Sequence, residues 1–387
     1  MIKKLAFILA LVFVAGPVHA ELSQYTAGKV QRAHNLQQED KLDEAIVLLA
    51  GLTPSKAYDQ AFVKRMLGVF YWQQGNIDKA IANLSDAVKS GLLEDEQAWV
   101  TQRMLADLLL SDEQFKQALP HYYQLSKNFP KGQKADELWL RIAQSHYQLS
   151  EWKSVLSAIS IYDSLTKLEE VAPLSIKLGA QLQLKYWKGA ISTLKRLIVL
   201  EPDKTTWWQQ MAGVQLRLGR SKDALDTMAL AKRQGVALSL QDLKTMAQLY
   251  AQRGIPERAA RIYAELEGAE RNAELVSSQA MYWQIAKEWD EAISVWRLAA
   301  KLDNKHRWSL AQLLLQEGYY RKALTELDRV DQESRKADVE LAKARAYYKL
   351  EDFDQALVHA KQANNIEPTA AAKSWIKYLS QIRNMQS

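Results

Sequence analysis

The sequence has 387 residues, 48% of them hydrophobic and 25% charged, a balance that suits a folded chain of about two to four ordinary domains or one long repeat array. It contains no Cys, which excludes disulfides, Cys-ligated zinc, iron–sulfur clusters, thiol catalysis and lipid attachment at an N-terminal Cys. The formal charge of +6 is a mild excess that does not argue for nucleic acid, and 15 Gly with 8 Pro are few for a loop-rich all-β chain.

The first element in chain order is an address. Met1-Ile2-Lys3-Lys4 is basic, Leu5 to Gly16 is apolar without a break, and Pro17-Val18-His19-Ala20 ends in small residues. This is the three-part pattern of a secretory signal over residues 1–20, with cleavage expected after Ala20. The apolar run is too short to span a bilayer, and no later stretch reaches the ~18 apolar residues that a span needs. The expected location is periplasmic, with no stable membrane insertion after cleavage.

The rest of the chain repeats one motif. Gly75-Asn76-Ile77-Asp78-Lys79-Ala80-Ile81 recurs as Gly219-Arg220-Ser221-Lys222-Asp223-Ala224-Leu225, as Gly318-Tyr319-Tyr320-Arg321-Lys322-Ala323-Leu324, and as Glu351-Asp352-Phe353-Asp354-Gln355-Ala356-Leu357. A small anchor residue falls at Ala45, Ala80, Ala118, Val155, Ala190, Ala224, Ala259, Ala292, Ala323 and Ala356, at spacings of 31 to 38 residues. Around these anchors lie Leu67-Gly68 with Tyr71, then Ala80 and Leu84; Ala118 with Tyr122 and Pro130; and Ala344 with Tyr347, Phe353, Ala356 and Pro368. Trp139 and Trp208 open the fourth and sixth periods.

A period near 34 residues with this pattern resembles the tetratricopeptide repeat (TPR). The resemblance implies an all-α, right-handed α-solenoid superhelix of about ten helix-turn-helix repeats. The units fall near 26–59, 61–94, 99–132, 136–169, 171–204, 205–238, 240–273, 273–303, 304–336 and 337–370, so the array covers 21–370. Residues 371–387, with Trp375, Ile376, Leu379 and Ile382 on one stripe, read as the capping helix that such arrays require.

The turn between the paired helices calls for Gly or a short polar residue, and the small anchor marks their closest approach. The aromatic residue three before the anchor (Phe115, Trp152, Trp187, Trp289, Tyr320, Phe353) is expected to plug the gap to the neighbouring unit. Seven of the twelve Trp, namely Trp139, Trp152, Trp187, Trp208, Trp283, Trp289 and Trp296, fall on packing positions. Pro120 is expected to bend its helix unless it lies in the first turn, and Pro256 sits at a helix start. The fifth turn, at Leu184-Lys185-Tyr186-Trp187, reads as one residue short. Longer connections are expected near Gly91 and Gly132, and those places are the expected joints or irregular stacks.

A search for chemistry finds none. No two of the five His after residue 20 lie within seven residues, and no Gly spacing fits a P-loop or a dinucleotide-binding turn. No G-x-S-x-G elbow is present. The expectation is a protein that is not an enzyme, takes no cofactor or metal, and has other proteins as partners.

The TPR resemblance implies a groove lined by first helices. By register its lining is Arg65, Trp72, Arg103, Asp107, Gln144, Gln148, Lys244, Gln248, Trp308, Gln312 and Arg345. The Asn positions of the carboxylate-clamp variant hold Val69, Asp107 and Gln144, so that clamp is absent. Charge concentrates in residues 171–238, which hold 11 basic and 4 acidic groups. Lys185, Lys188, Lys195, Arg196, Arg217, Arg220, Lys222, Lys232 and Arg233 form a candidate basic patch for an acidic protein segment or for lipid or glycan anions.

As a whole, a signal followed by degenerate Trp-rich repeats is similar to the periplasmic TPR proteins assigned to TonB-type energy-transduction systems. That resemblance implies a scaffold accessory to iron-chelate uptake. The alternatives are a scaffold for envelope polysaccharide export or outer-membrane protein assembly, and a direct binder of cell-wall glycan or lipid.

Overall fold

The computed structural model describes residues 21–386, so the expected signal over residues 1–20 lies outside the described residues. Twenty-one α-helices and no strands occur among the described residues. They pair into consecutive hairpins: α1 (Gln24–Gln38) with α2 (Leu42–Ala50), α3 (Ala57–Gln74) with α4 (Ile77–Ser90), α5 (Asp95–Ser111) with α6 (Phe115–Leu125), and α7 (Ala135–Gln148) with α8 (Trp152–Leu165). Next come α9 (Val171–Gln183) with α10 (Trp187–Leu200), α11 (Thr205–Arg217) with α12 (Ser221–Arg233), and α13 (Leu240–Gln252) with α14 (Pro256–Ala264). The last hairpins are α15 (Ala273–Ile285) with α16 (Trp289–Leu302), α17 (Arg307–Gln316) with α18 (Tyr320–Leu327), and α19 (Lys336–Lys349) with α20 (Phe353–Ile366), followed by α21 (Ala370–Gln386). The architecture is an all-α solenoid of TPR-type hairpins with a terminal helix.

One local device builds every hairpin. The residue five before each anchor sits in the left-handed region, with φ between 58° and 85° across Asp40, Gly75, Glu113, Ser150, Lys185, Gly219, Gly254, Lys287, Gly318 and Glu351. The following N–H donates to the carbonyl five residues back, as from Asn76 to Tyr71 at 2.8 Å, Glu151 to His146 at 2.9 Å and Tyr186 to Gln181 at 2.8 Å. This geometry closes the first helix by capping its orphan carbonyls. Its own carbonyl then accepts the anchor's N–H, as Asn76 does from Ala80 at 3.0 Å, and so starts the second helix. The fifth turn is therefore full length, contrary to the sequence expectation: Lys185 occupies the same left-handed position as Gly75. A side chain there costs roughly 1–2 kcal/mol of backbone strain, tolerated because the capping bonds fix the turn.

All ten anchors are fully buried at 0% exposure, so the spacing located the closest helix approach in every hairpin. Close packing also explains Gly68, where a Cβ would lie 2.5 Å from Leu84 Cγ across the α3–α4 contact. Of the aromatic residues that open second helices, Trp152 and Phe353 meet rings of their own hairpins, where the sequence expectation was a plug to the next unit. Trp152 packs edge-on against Tyr147 at 5.2 Å, and Phe353 lies 5.9 Å from Tyr348. Trp99, Trp207, Trp208 and Trp296 are buried, and Trp139, Trp152, Trp283 and Trp289 pack half-buried against the cores. Pro120 is the sixth residue of α6, past its first turn, and the helix continues through it, while Pro256 begins α14 as proline tolerates.

The chain divides into two compact units, one ending at Thr193 and the other beginning at Leu194. The division falls within α10 and not at the expected joints near Gly91 and Gly132. In the first unit a core runs through successive hairpins from Ala80 and Leu84 through Tyr122, Ile142 and Ile159 to Ala180. In the second, a core built on Met228, Met246, Tyr250 and Tyr263 is followed by one on Ile293, Trp296 and Leu310. There α21 covers the last hairpin: Leu379 is fully buried, and Trp375 and Ile376 pack over Ala356, Leu357 and Ala360. No helix among the described residues is long and apolar enough to cross a membrane.

Candidate functional site

In the first unit, Arg65, Arg103, Asp107 and Gln144 each hold a side-chain hydrogen-bond partner. Arg65 is not a lining residue: it is buried at 8% exposure, lies 5.6 Å over the Phe62 ring and donates from Nε to Thr101 Oγ1 at 3.1 Å. Burial pushes its guanidinium pKa down, and its contacts fasten α3 to α5. Arg103 Nε donates to Asp107 Oδ2 at 2.9 Å, and the buried Tyr122 phenol donates to Asp107 Oδ1 at 2.6 Å. Burial and then the Asp107 carboxylate raise the Tyr122 pKa strongly. Arg141 Nη1 donates to Gln144 Oε1 at 3.3 Å. Only Trp72, at 42% exposure, and Gln148 are presented outward among the predicted residues of this unit.

Sequence reasoning missed a neighbouring chain of polar groups. The Tyr123 hydroxyl on α6 meets His146 Nε2 on α7 at 2.7 Å, and His146 Nδ1 meets Glu151 Oε2 at 2.5 Å. Tyr, His and Glu in this order resemble a proton relay, but the His ring is buried, and burial and then Glu151 raise the Tyr123 pKa. The arrangement satisfies a buried imidazole and locks the third hairpin to the fourth.

In the second unit, Gln248 and Arg345 are exposed, whereas Lys244 and Gln312 are half-buried. Trp308 is not a free aromatic anchor. Arg335 lies 5.1 Å over its ring, and it packs against the cluster of Ala311, Leu327 and Val339.

The open feature of this face lies between α11 and α13. A pocket of about 180 Å³ is lined by Trp208, Gln209, Ala212, Gly213, Leu216, Met228, Leu238, Asp242 and Thr245. Gln209 Nε2 donates to Asp242 Oδ2 at 2.7 Å along its rim. Gly213 is the informative residue. It is a Gly inside a helix, which costs roughly 0.5–1 kcal/mol relative to Ala, yet a Cβ there would meet nothing within 4 Å. Packing does not require this Gly, and its effect is to leave the pocket open.

Gly213 and Met281 both stand eleven residues before their anchors, the register of Asp107 and Gln144. Met281 is 45% exposed, Ile285 one turn on is 55% exposed, and Leu216 is 38% exposed. The register was readable in the sequence. What reading residue types alone missed is that the face is uncovered at Gly213 and Met281.

The basic residues divide between the two units, with Lys185 and Lys188 in the first and the rest in the second. Lys185, Lys188, Lys195, Arg217, Lys222 and Arg233 are exposed, and Arg196 is half-buried. Arg220 Nε pairs with Asp223 at 2.5 Å, and Lys232 Nζ pairs with Glu265 at 2.6 Å. Among the described residues, no group of three or more His, Asp or Glu side chains is placed to hold a metal ion.

Fold and face together define a helical-repeat protein whose presented features are a pocket between first helices and charged surfaces on second helices. No family model matches the sequence, and no curated protein matches it. Among solved structures, the Naa15/Naa10 complex bound to HypK-THB aligns at 14% identity and TM-score 0.46, over 93% of this chain and 66% of that chain. The C-terminal part of a TPR repeat-containing protein from Cytophaga hutchinsonii aligns at 14% identity and TM-score 0.36, over 70% of this chain and 98% of that one. Yeast Tom70 aligns at 12% identity and TM-score 0.31, over 94% of this chain and 96% of that one. The fold assignment rests on the hairpins, anchors and turns described above.

Proposed function

We propose that this protein is a non-enzymatic protein-interaction scaffold, and that the first-helix face of its second unit receives a segment of a partner protein. One apolar partner side chain enters the α11–α13 pocket, and Leu216 on α11 with Met281 and Ile285 on α15 offer exposed apolar contacts on first helices. Gly213 carries this reading, because a helix-weakening residue with no packing reason keeps the pocket open. An apolar cavity of about 150 Å³ accepts a benzene-sized molecule, so a pocket of about 180 Å³ suits one large side chain.

The decisive variant is Gly213→Leu, which fills the pocket while improving helix propensity. With a photo-crosslinking residue at Leu216, the native chain is expected to form a partner adduct in cells, and Gly213→Leu to lose it while staying folded. An adduct undiminished by Gly213→Leu would overturn the reading.

The finer proposal is an exported scaffold serving a TonB-type energy-transduction system. It is supported by the leader-like first twenty residues and the whole-chain resemblance. Deletion is expected to lower growth on chelated iron, and the Leu216 adduct to contain a motor or transducer protein. Normal growth with an unrelated adduct would remove the TonB assignment and leave the scaffold intact.

A further inference from the structure

In the second unit a cleft of about 950 Å³ opens between α12 and α14, floored by α13. Its floor is apolar: Ala229, Leu230, Met246, Tyr250 and Ile262. Leu230 remains 38% exposed. The pocket beside Gly213 uses Asp242 and Thr245 of α13, whereas the cleft uses Met246 and Tyr250, so the two openings draw on different residues along neighbouring strips of that helix.

The rim carries Lys232, Arg233, Arg258 and Arg261 against Asp226, Glu257 and Glu265. These charges do not cancel where they stand. Glu265 is engaged by Lys232 at 2.6 Å, and Asp226 faces Arg253 at 4.0 Å. Three guanidinium groups then remain against the single carboxylate of Glu257. Two of them rest on rings, Arg258 at 5.7 Å over Tyr250 and Arg261 at 6.0 Å over Trp283. Ring stacking orients a guanidinium without neutralising it, and its planar donors are suited to bidentate capture of carboxylates.

We propose that this cleft is a second docking surface, occupied by an acidic amphipathic helix of a partner protein. The partner's apolar stripe meets Leu230, Met246 and Ile262, and its carboxylates meet Arg233, Arg258 and Arg261. Charge complementarity chooses this occupant: an apolar floor alone fits many helices, but an arginine rim with one unengaged acid favours an acidic one and repels a basic one. The cleft of about 950 Å³ lies at the upper end of the roughly 300–1,000 Å³ of ligand pockets. It takes the excess charge of residues 171–238 beyond a general surface property by placing Lys232 and Arg233 on a shaped site. The proposal is independent of the Gly213 pocket, so either can fail alone.

The test is fluorescence anisotropy on the full chain with a labelled 18-residue helical peptide carrying Leu on one face and Glu on the other. The controls are the same peptide with every Glu replaced by Lys, vesicles of phosphatidylglycerol, and a Glu-rich peptide without Leu. The acidic amphipathic peptide is expected to bind, to weaken at least tenfold between 50 and 300 mM salt (about the range where such pairs are screened), and to lose at least tenfold affinity in Arg233→Glu/Arg258→Glu. The milder Arg258→Gln/Arg261→Gln is expected to lose less, and Gly213→Leu to leave binding unchanged. Helical circular dichroism of each variant separates lost binding from lost folding. Absence of binding, equal binding of the Lys peptide, or affinity unmoved by the folded arginine variants would overturn the proposal. Vesicle binding through the same arginines without peptide binding would assign the cleft to lipid and would equally overturn it.

Discussion

The same register position does different work in the two units. Eleven residues before the anchor, the first unit carries Asp107 and Gln144 beside Val69 and Gly179, and the second carries Gly213 and Met281 beside Gln248, Gln312 and Arg345. Asp107 is held by Arg103 and by the Tyr122 phenol, and Gln144 by Arg141. Gly213 borders an open pocket, and Met281 is 45% exposed. One hairpin geometry therefore supports either a face whose polar groups are engaged within their own hairpin or a face left open for another molecule. Repeat register places a side chain on the face, but the chemistry of its neighbours decides whether it is available.

Glycine gives the sharpest way to break this comparison. Gly179 holds the same register position in the first unit, but a Cβ there would lie 2.6 Å from Tyr147 Oη, and the Tyr147 ring is itself packed against Trp152. Gly179→Leu is expected to destabilise the chain by roughly 1–3 kcal/mol through overpacking, whereas Gly213→Leu gains up to about 1 kcal/mol from helix propensity. Urea unfolding of both variants checks this, and equal losses would remove the distinction between a packing Gly and an opening Gly. The next largest effect is expected at Tyr123→Phe, which leaves buried His146 Nε2 without its partner at a cost of roughly 1–3 kcal/mol. Hydrogen exchange should show loosened protection in α6 and α7, with the second unit unchanged.

A smaller effect concerns pH and the first hairpin. Asp59 on α3 is 1% exposed and accepts hydrogen bonds from the Ser23 backbone at 3.2 Å and from the Ser23 hydroxyl. Burial pushes its carboxyl up, but hydrogen bonds from Ser23 and Thr26 outweigh burial and hold it below the usual carboxylate range. The folded-state pKa is depressed. Its stabilisation is therefore present above the unfolded value near about 3.9 and is lost as pH falls through the lower folded value. Asp59→Asn is expected to remove about 1 kcal/mol at neutral pH and to flatten the acid limb of a thermal-melt series. An unchanged acid limb would show that Asp59 does not fasten α1. The smallest changes are expected at the turns: Lys185→Gly and Lys287→Gly relieve left-handed strain and should each raise stability by roughly 0.5–1 kcal/mol.

Much of the fold was legible because it is periodic. Ala45 through Ala356 predicted the buried helix contacts, since only a small residue permits that approach, and every one is fully buried. The fifth turn was misread because Lys185 is an unusual occupant of a left-handed position, and capping bonds, which leave no mark in residue type, hold it there. The candidate site was less legible. Arg65 and Trp308 stand in the groove register yet are taken up by Thr101 and Phe62, and by Arg335 and Val339. Thr101, Arg335 and Val339 lie outside the helix of the residue they engage and are invisible to spacing along one. Gly213, Leu216 and Met281 were passed over because a groove was sought among polar and aromatic residues, while the opening is made by a missing side chain and by apolar residues left uncovered.

The most direct measurement places a photo-crosslinking amino acid in turn at Leu216 and Met281 in the second unit and at Gln148 and Trp72 in the first, in living cells, with adducts identified by mass spectrometry. The account predicts one common partner captured at Leu216 and Met281, lost in Gly213→Leu, and absent or much weaker at Gln148 and Trp72. Capture of that partner from the first unit alone, or undiminished capture in Gly213→Leu, would contradict it.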